Sequence, residues 1–268
     1  MKRTLLLFLV FLYASCRGST SKIDAANVMS YQAQVEEIQS DSLLFGIQDK
    51  IRDAFVQSLM TKDNKPLEKL ALELETLNGE KQHNLILYWR SYLQFYSSIY
   101  YQQMGDRKTA EKEVEKGIDW LESMKHKNSE DYALLAMLQS YSLSFGKGMR
   151  APAISKAAKK NAKHAMSIDS MNLRAYYVYA SIDFHTPAKY GGGKEAEEYL
   201  LKAISLPSQK VKNEFLPSWG KEQAYEMLIK LYIKKEDWES AKKYYQEGIE
   251  KFPESYTINK LASKLVGK

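Results

Sequence analysis

Four histidines and one cysteine are the side chains of this chain best suited to metal binding or nucleophilic attack. Their spacing speaks against both. His83, His126, His164 and His185 stand far apart, and none forms an H-E-x-x-H pair, which lets two imidazoles reach one metal ion from a single helix face. Cys16 is the sole thiol, so neither an intramolecular disulfide nor a cysteine-based metal cluster is available. No G-x-S-x-G elbow is present. Gly191-Gly192-Gly193-Lys194 precedes a helical pattern, where exposed backbone N–H groups can hold an anion. The phosphate-loop pattern requires Ser or Thr after the Lys, however, and here Glu195 follows, so a turn between helices is expected. The carboxylates of Glu197 and Glu198 lie at ordinary helical spacing. The residues predict a protein that performs no chemistry and uses no metal or cofactor.

Cys16 has a different use. Lys2 and Arg3 are followed by an apolar run from Leu5 to Leu12, then by small Ala14 and Ser15, the layout of a secretory signal peptide over 1–16. The run is shorter than the ~20 residues that a membrane-spanning helix needs. Tyr13-Ala14-Ser15-Cys16 resembles a bacterial lipobox, with Tyr13 where an aliphatic residue is usual. That resemblance implies lipidation of Cys16 and residence at the periplasmic face of the outer membrane, and residues 17–23 read as a short polar tether. Lys and Arg number 39 against 33 Asp and Glu; without Lys2 and Arg3 the balance is 37 to 33, or +4. So mild a charge on an exported chain argues against nucleic acid as a partner.

The elements that position any site are helical. Leu, Ala, Lys and Glu dominate, and only eight valines occur in 268 residues, few for a sheet protein. Prolines at 66, 152, 187, 207, 217 and 253 fall where helical patterns start or stop. Periodicity predicts helices at 24–40, 44–61, 65–77, 83–104, 107–123, 130–145, 152–168, 172–185, 194–205, 219–234, 237–250 and 255–266. The run Tyr176-Tyr177-Val178-Tyr179 has strand propensity, but its continuation keeps helical spacing.

Residues 222–255 resemble a tetratricopeptide repeat (TPR), a 34-residue helix–turn–helix. Ala241 takes the small position of the second helix. Tyr225, Leu228 and Tyr232 fall in register before it, with Tyr245, Gly248 and Pro253 after it, and Ile229 departs where Gly or Ala is usual. Weaker copies centre on Ala110 (with Tyr101, Gly117 and a Gly105-Asp106 turn), on Ala158 (with Ala162 and Ala165), and on Ala196 (with Leu200, Ala203 and a lengthened turn at 185–193). One hairpin cannot bury its apolar face, so several must stack. The expected fold is all-α, a right-handed superhelix of antiparallel hairpins over 83–268, preceded by N-terminal helices in 24–82.

The resemblance implies a concave surface lined by the first helix of each pair. By register this places Tyr92, Phe95, Ile99, Met137, Tyr141, Arg174, Tyr177, Phe184, His185, Lys230 and Lys234 along it. Tyr offers large contact area with a hydrogen-bonding tip, so a protein or peptide partner is expected there. Lys156, Lys160 and Lys163 share a second, basic helix face. An alternative comes from the Tyr190-Gly191-Gly192-Gly193 turn, which resembles the T component of tripartite ATP-independent periplasmic (TRAP) transporters. That resemblance implies an accessory lipoprotein binding a small ligand.

Overall fold

The computed structural model describes residues 41–209 and 212–268; Cys16, the tether and the expected helix 24–40 lie outside them. Among the described residues the chain forms helices and no strand. We number them α1 (Ile47–Thr61), α2 (Lys65–Lys81), α3 (Asn84–Gln103), α4 (Arg107–Ser123), α5 (Ser129–Ser142), α6 (Ala151–Ile168), α7 (Leu173–His185), α8 (Ala196–Ser205), α9 (Lys221–Lys234), α10 (Trp238–Lys251), α11 (Tyr256–Asn259) and α12 (Ala262–Leu265). Three single 3-10 turns sit in the connections. No described helix is long and apolar enough to cross a membrane.

The local chemistry explains the boundaries. Pro66 and Pro152 occupy the first turns of α2 and α6, where a missing N–H costs nothing. Asn128 and Asp131 close a capping box at the start of α5, and Asn172 caps α7. The expected C-terminal helix is instead two single turns. Bonds from Leu261 N–H to Ile258 C=O and from Lys264 N–H to Leu261 C=O tighten the chain there, and Ile258, Leu261 and Leu265 are all buried.

Helices pair as α3–α4, α5–α6, α7–α8 and α9–α10, and the first helices α5, α7 and α9 also pack in sequence. The first and last of these hairpins turn identically. In each an Asp N–H reaches back to a Tyr carbonyl (Asp106 to Tyr101, 2.9 Å; Asp237 to Tyr232, 3.0 Å) and the Asp side chain caps the second helix. The turn needs a left-handed residue, which is Gly105 in one and Glu236 (φ 59°) in the other. Small residues permit the close crossings: Ala110, Ala158, Ala162, Ala165, Ala196, Ala203 and Ala241 are fully buried. Gly117 is the tightest, since a Cβ there would lie 2.7 Å from Leu138 and 3.2 Å from the Ser91 carbonyl. Ile229, the large residue at a usually small position, is buried against Tyr225, Ile258 and Leu261, so the last two turns fill the space beside it.

The lengthened turn of α7–α8 is built around Asp183, which is fully buried. Its Oδ2 accepts from the N–H groups of Glu195 (2.8 Å) and Ala196 (3.0 Å), capping α8, while its carbonyl accepts from Gly193. Gly192 has no room for a side chain, because a Cβ would sit 2.0 Å from the Thr186 carbonyl oxygen. The glycine run is therefore structural, a turn as its sequence suggests.

Candidate functional site

The face shared by the first helices is only partly open, because the chain fills some of it itself. Between α8 and α9, residues 212–220 cross this face as a strap. Gln209 gathers it, donating from Nε2 to the carbonyls of Asn213, Leu216 and Pro217. Phe215 offers its carbonyl to Trp89 Nε1 at 3.0 Å, and Gly46 N–H donates to the Glu214 carbonyl. Gln48 of α1 exchanges hydrogen bonds with Ser218 and accepts from Trp219 N–H. Trp219 is 5% exposed and sits among Tyr88, Tyr92 and Tyr177.

This corrects two expected surface positions, Tyr92 and Arg174. Tyr92 is buried, stacked on Trp219 with ring centroids 6.0 Å apart, and burial holds its phenol well above the usual range. Tyr177 is edge-on to the same indole but keeps part of its surface exposed; desolvation raises its pKa, aided by the charge of Glu226. Arg174 is 4% exposed and no free cation. Its Nε donates to Glu130 Oε2 at 2.5 Å, its Nη2 to Glu130 Oε1, and its Nη1 to the carbonyls of Ser208 and Trp219. The repeat register does not anticipate the strap, which buries Tyr92 and Arg174.

The remaining positions are accessible to differing degrees. Phe95 and Tyr141 are half-buried and meet edge to face at 5.0 Å, with Tyr141 donating to Gln102 Oε1 at 2.6 Å. Ile99 and Met137 are likewise half-buried. Phe184 is half-buried beneath the exposed Lys234, whose Nζ lies 5.4 Å from its ring centroid. Lys230 is paired with Glu226 at 2.5 Å, and exposed His185 bonds to the Ser181 carbonyl of its own helix. On the basic face of α6, Lys159 and Lys163 lie over the Tyr179 ring and Lys159 approaches Asp183 at 3.9 Å, leaving Lys156 and Lys160 exposed.

A second concavity lies between α2 and the α3–α4 hairpin, with a volume of about 380 Å³. Leu67, Ala71 and Leu93 give it apolar surface, Trp120 a wall, and Arg90, Gln94, Ser97 and Tyr101 a polar line along α3. The Arg90 guanidinium lies over the Trp120 ring, 4.1 Å from its centroid, and 3.5 Å from Glu75; burial lowers its pKa, and Glu75 opposes that shift. Nothing in the sequence pattern singled out this groove. Among the described residues, no three His, Cys, Asp or Glu side chains are grouped to hold a metal ion.

No protein-family model matches the sequence, and no curated protein matches it. Solved structures do resemble the fold. A thermophilic TPR protein of Thermus thermophilus aligns at a TM-score of 0.53 and 15% identity, over 82% of this chain and 99% of that one. The fold is tetratricopeptide-like. The HusA haemophore of Porphyromonas gingivalis aligns at a TM-score of 0.48 and 20% identity, over 80% of this chain and 94% of that one. What distinguishes this tetratricopeptide-like array internally is the strap. Its signal in the sequence is the cluster Phe215, Leu216 and Trp219 within a segment that the helical patterns leave largely unassigned.

Proposed function

We propose that this protein is an exported adaptor, anchored by a lipid on Cys16, that captures a protein or peptide partner and performs no chemistry. The observation that carries the binding reading is the half-buried aromatic pair Phe95–Tyr141, with half-buried Ile99 and Met137 one helical turn away on the same two helices. Aromatic side chains with part of their surface still in water are common anchors of protein interfaces. Phe184 under Lys234 extends the surface toward the C-terminal half and adds a positive charge, which suits a partly apolar segment carrying an acidic residue. The anchor reading rests on the lone thiol at the end of the apolar run. On that reading the binding face works at a membrane surface on the periplasmic side.

Crosslinked pull-down from native envelopes, with mass spectrometry of the captured proteins, tests the binding reading. A partner retained by the native chain and lost from Phe95→Ala with Phe184→Ala, at unchanged helical circular dichroism, is the expected result. Retention of every partner by that double variant overturns it. Mass spectrometry of the mature N-terminus tests the anchor. A chain beginning at Ser19, or a Cys16→Ala variant that still fractionates with membranes, removes the lipid from the account.

A further inference from the structure

The groove between α2 and the α3–α4 hairpin contains a polar group that the fold does not satisfy. Gln94 is 6% exposed, and its Oε1 is fully buried without a hydrogen-bond partner among the described residues. Such an orphan acceptor is costly to stability, and an apolar side chain of similar size would be better for the fold alone. The crossing at Gly117 holds it there, since the position of a Cβ on Gly117 lies 3.4 Å from Gln94 Cβ. Gln94 lines the groove, so a rotation of its carboxamide that brings the buried oxygen to the cavity lets it accept an N–H from a ligand, and its own NH₂ offers a donor in return.

We propose that this groove binds a short extended peptide whose backbone amide pairs with Gln94. The surface has the required length. Arg90, Gln94, Ser97 and Tyr101 follow one another at i, i+4, i+7 and i+11 along α3, a line of about 16 Å at 1.5 Å per residue. An extended chain covers that distance in about five residues. Half-buried Ala71 and exposed Leu72 of α2 offer apolar contact for alternate side chains, over a floor of buried Leu67 and Leu93. Charge sets a direction. Arg90, held over Trp120, exchanges its 3.5 Å contact with exposed Glu75 for an acidic side chain or terminal carboxylate; Glu113 is paired with Lys116, and Glu68, bonded to Asn64 at 2.6 Å, marks the opposite end. This site is separate from the Phe95–Tyr141 surface and does not depend on it.

The test is selection of a random heptapeptide phage library on the full mature chain, followed by affinity measurement on variants with synthetic copies of the enriched peptides. Gln94→Met is expected to melt at the same or a higher temperature and to bind the peptides at least about tenfold more weakly. Leu72→Arg, a change at an exposed position, is expected to block the groove with no change in melting. Arg90→Gln weakens peptides carrying an acidic residue more than neutral ones. Equal binding to Gln94→Met and the native chain overturns the proposal, as does a lowered melting temperature with binding unchanged, or a library that yields no peptide. Peptides lost instead from Phe95→Ala with Phe184→Ala place binding on the first-helix face, which ends this proposal and leaves the proposed function standing.

Discussion

The indole Nε1–H of Trp219 donates to the Tyr88 hydroxyl at 2.8 Å in the buried interior, across 131 positions of sequence. The bond ties the strap to the first helix of the first repeat hairpin. Trp219→Ala is expected to lower stability by about 3–5 kcal/mol, since it empties a large site in the main core. Trp219→Phe keeps most of the packing and leaves the Tyr88 hydroxyl without its donor, at about 1–3 kcal/mol. Urea unfolding checks both: the midpoints fall in that order, a Trp219→Phe midpoint equal to the native one would mean that the hydrogen bond contributes nothing, and equal shifts would mean that the packing adds nothing beyond it.

Arg174 and Glu130 form a buried ion pair linking α7 to the start of α5, and Arg174 also holds the strap through the Trp219 carbonyl. Removing one partner of a buried pair strands the other charge, so Glu130→Ala is expected to cost about 3–5 kcal/mol. Arg174→Lys also destabilises, because an ammonium cannot reproduce the two-pronged contact. The double change Arg174→Met with Glu130→Leu costs less than the sum of its single changes. Additive effects in that thermal-melting cycle would contradict the pairing.

Two glycines separate conformational freedom from lack of room. Gly79 lies within α2 with nothing near its absent Cβ, so Gly79→Ala raises stability by about 0.5–1 kcal/mol through helix propensity. Gly192→Ala drives a methyl group into the Thr186 carbonyl and is expected to lower the melting temperature by several degrees or more. The same substitution thus carries opposite signs at the two sites, which differential scanning calorimetry reads directly.

Asp131 supplies a pH dependence. Burial raises its pKa to about 7; the Asn128 N–H that it accepts at 2.9 Å opposes the rise, and the charge of Glu130 adds to it. In the unfolded chain it ionises near ~3.9. Between those values the folded protein holds a proton that the unfolded chain has lost, so this group makes stability fall as pH rises from about 4 to about 7. The slope is at most ~1.4 kcal/mol per pH unit. Asp131→Asn keeps an acceptor for the cap and removes the slope, so the native chain loses ground to the variant across that window. Parallel curves for the two proteins in denaturant titrations would refute the assignment.

Much of the array was legible because its determinants are local. Prolines, caps and alanine spacing place α2 to α10 within a few residues of where they form, and the shared turn at Gly105 and Glu236 follows the repeat phase. The burial of Tyr92 and Arg174 under the strap was not legible, because the contacts of Trp219 join residues that no local pattern brings together. Gln94 illustrates the same limit. Its residue type says nothing of an orphaned oxygen, which arises only where α2 leaves a gap beside the Gly117 crossing.

A row of helical hairpins behaves as a spring, each joint giving a little so that the whole can stretch or coil. The strap locks this one, fastening α1, α3 and α7 to a single segment through Gln48, Trp89, Tyr88 and Arg174. A locked spring is a mould of fixed pitch. On the proposed function, a partner must arrive with a matching length, and the protein loses little freedom in receiving it.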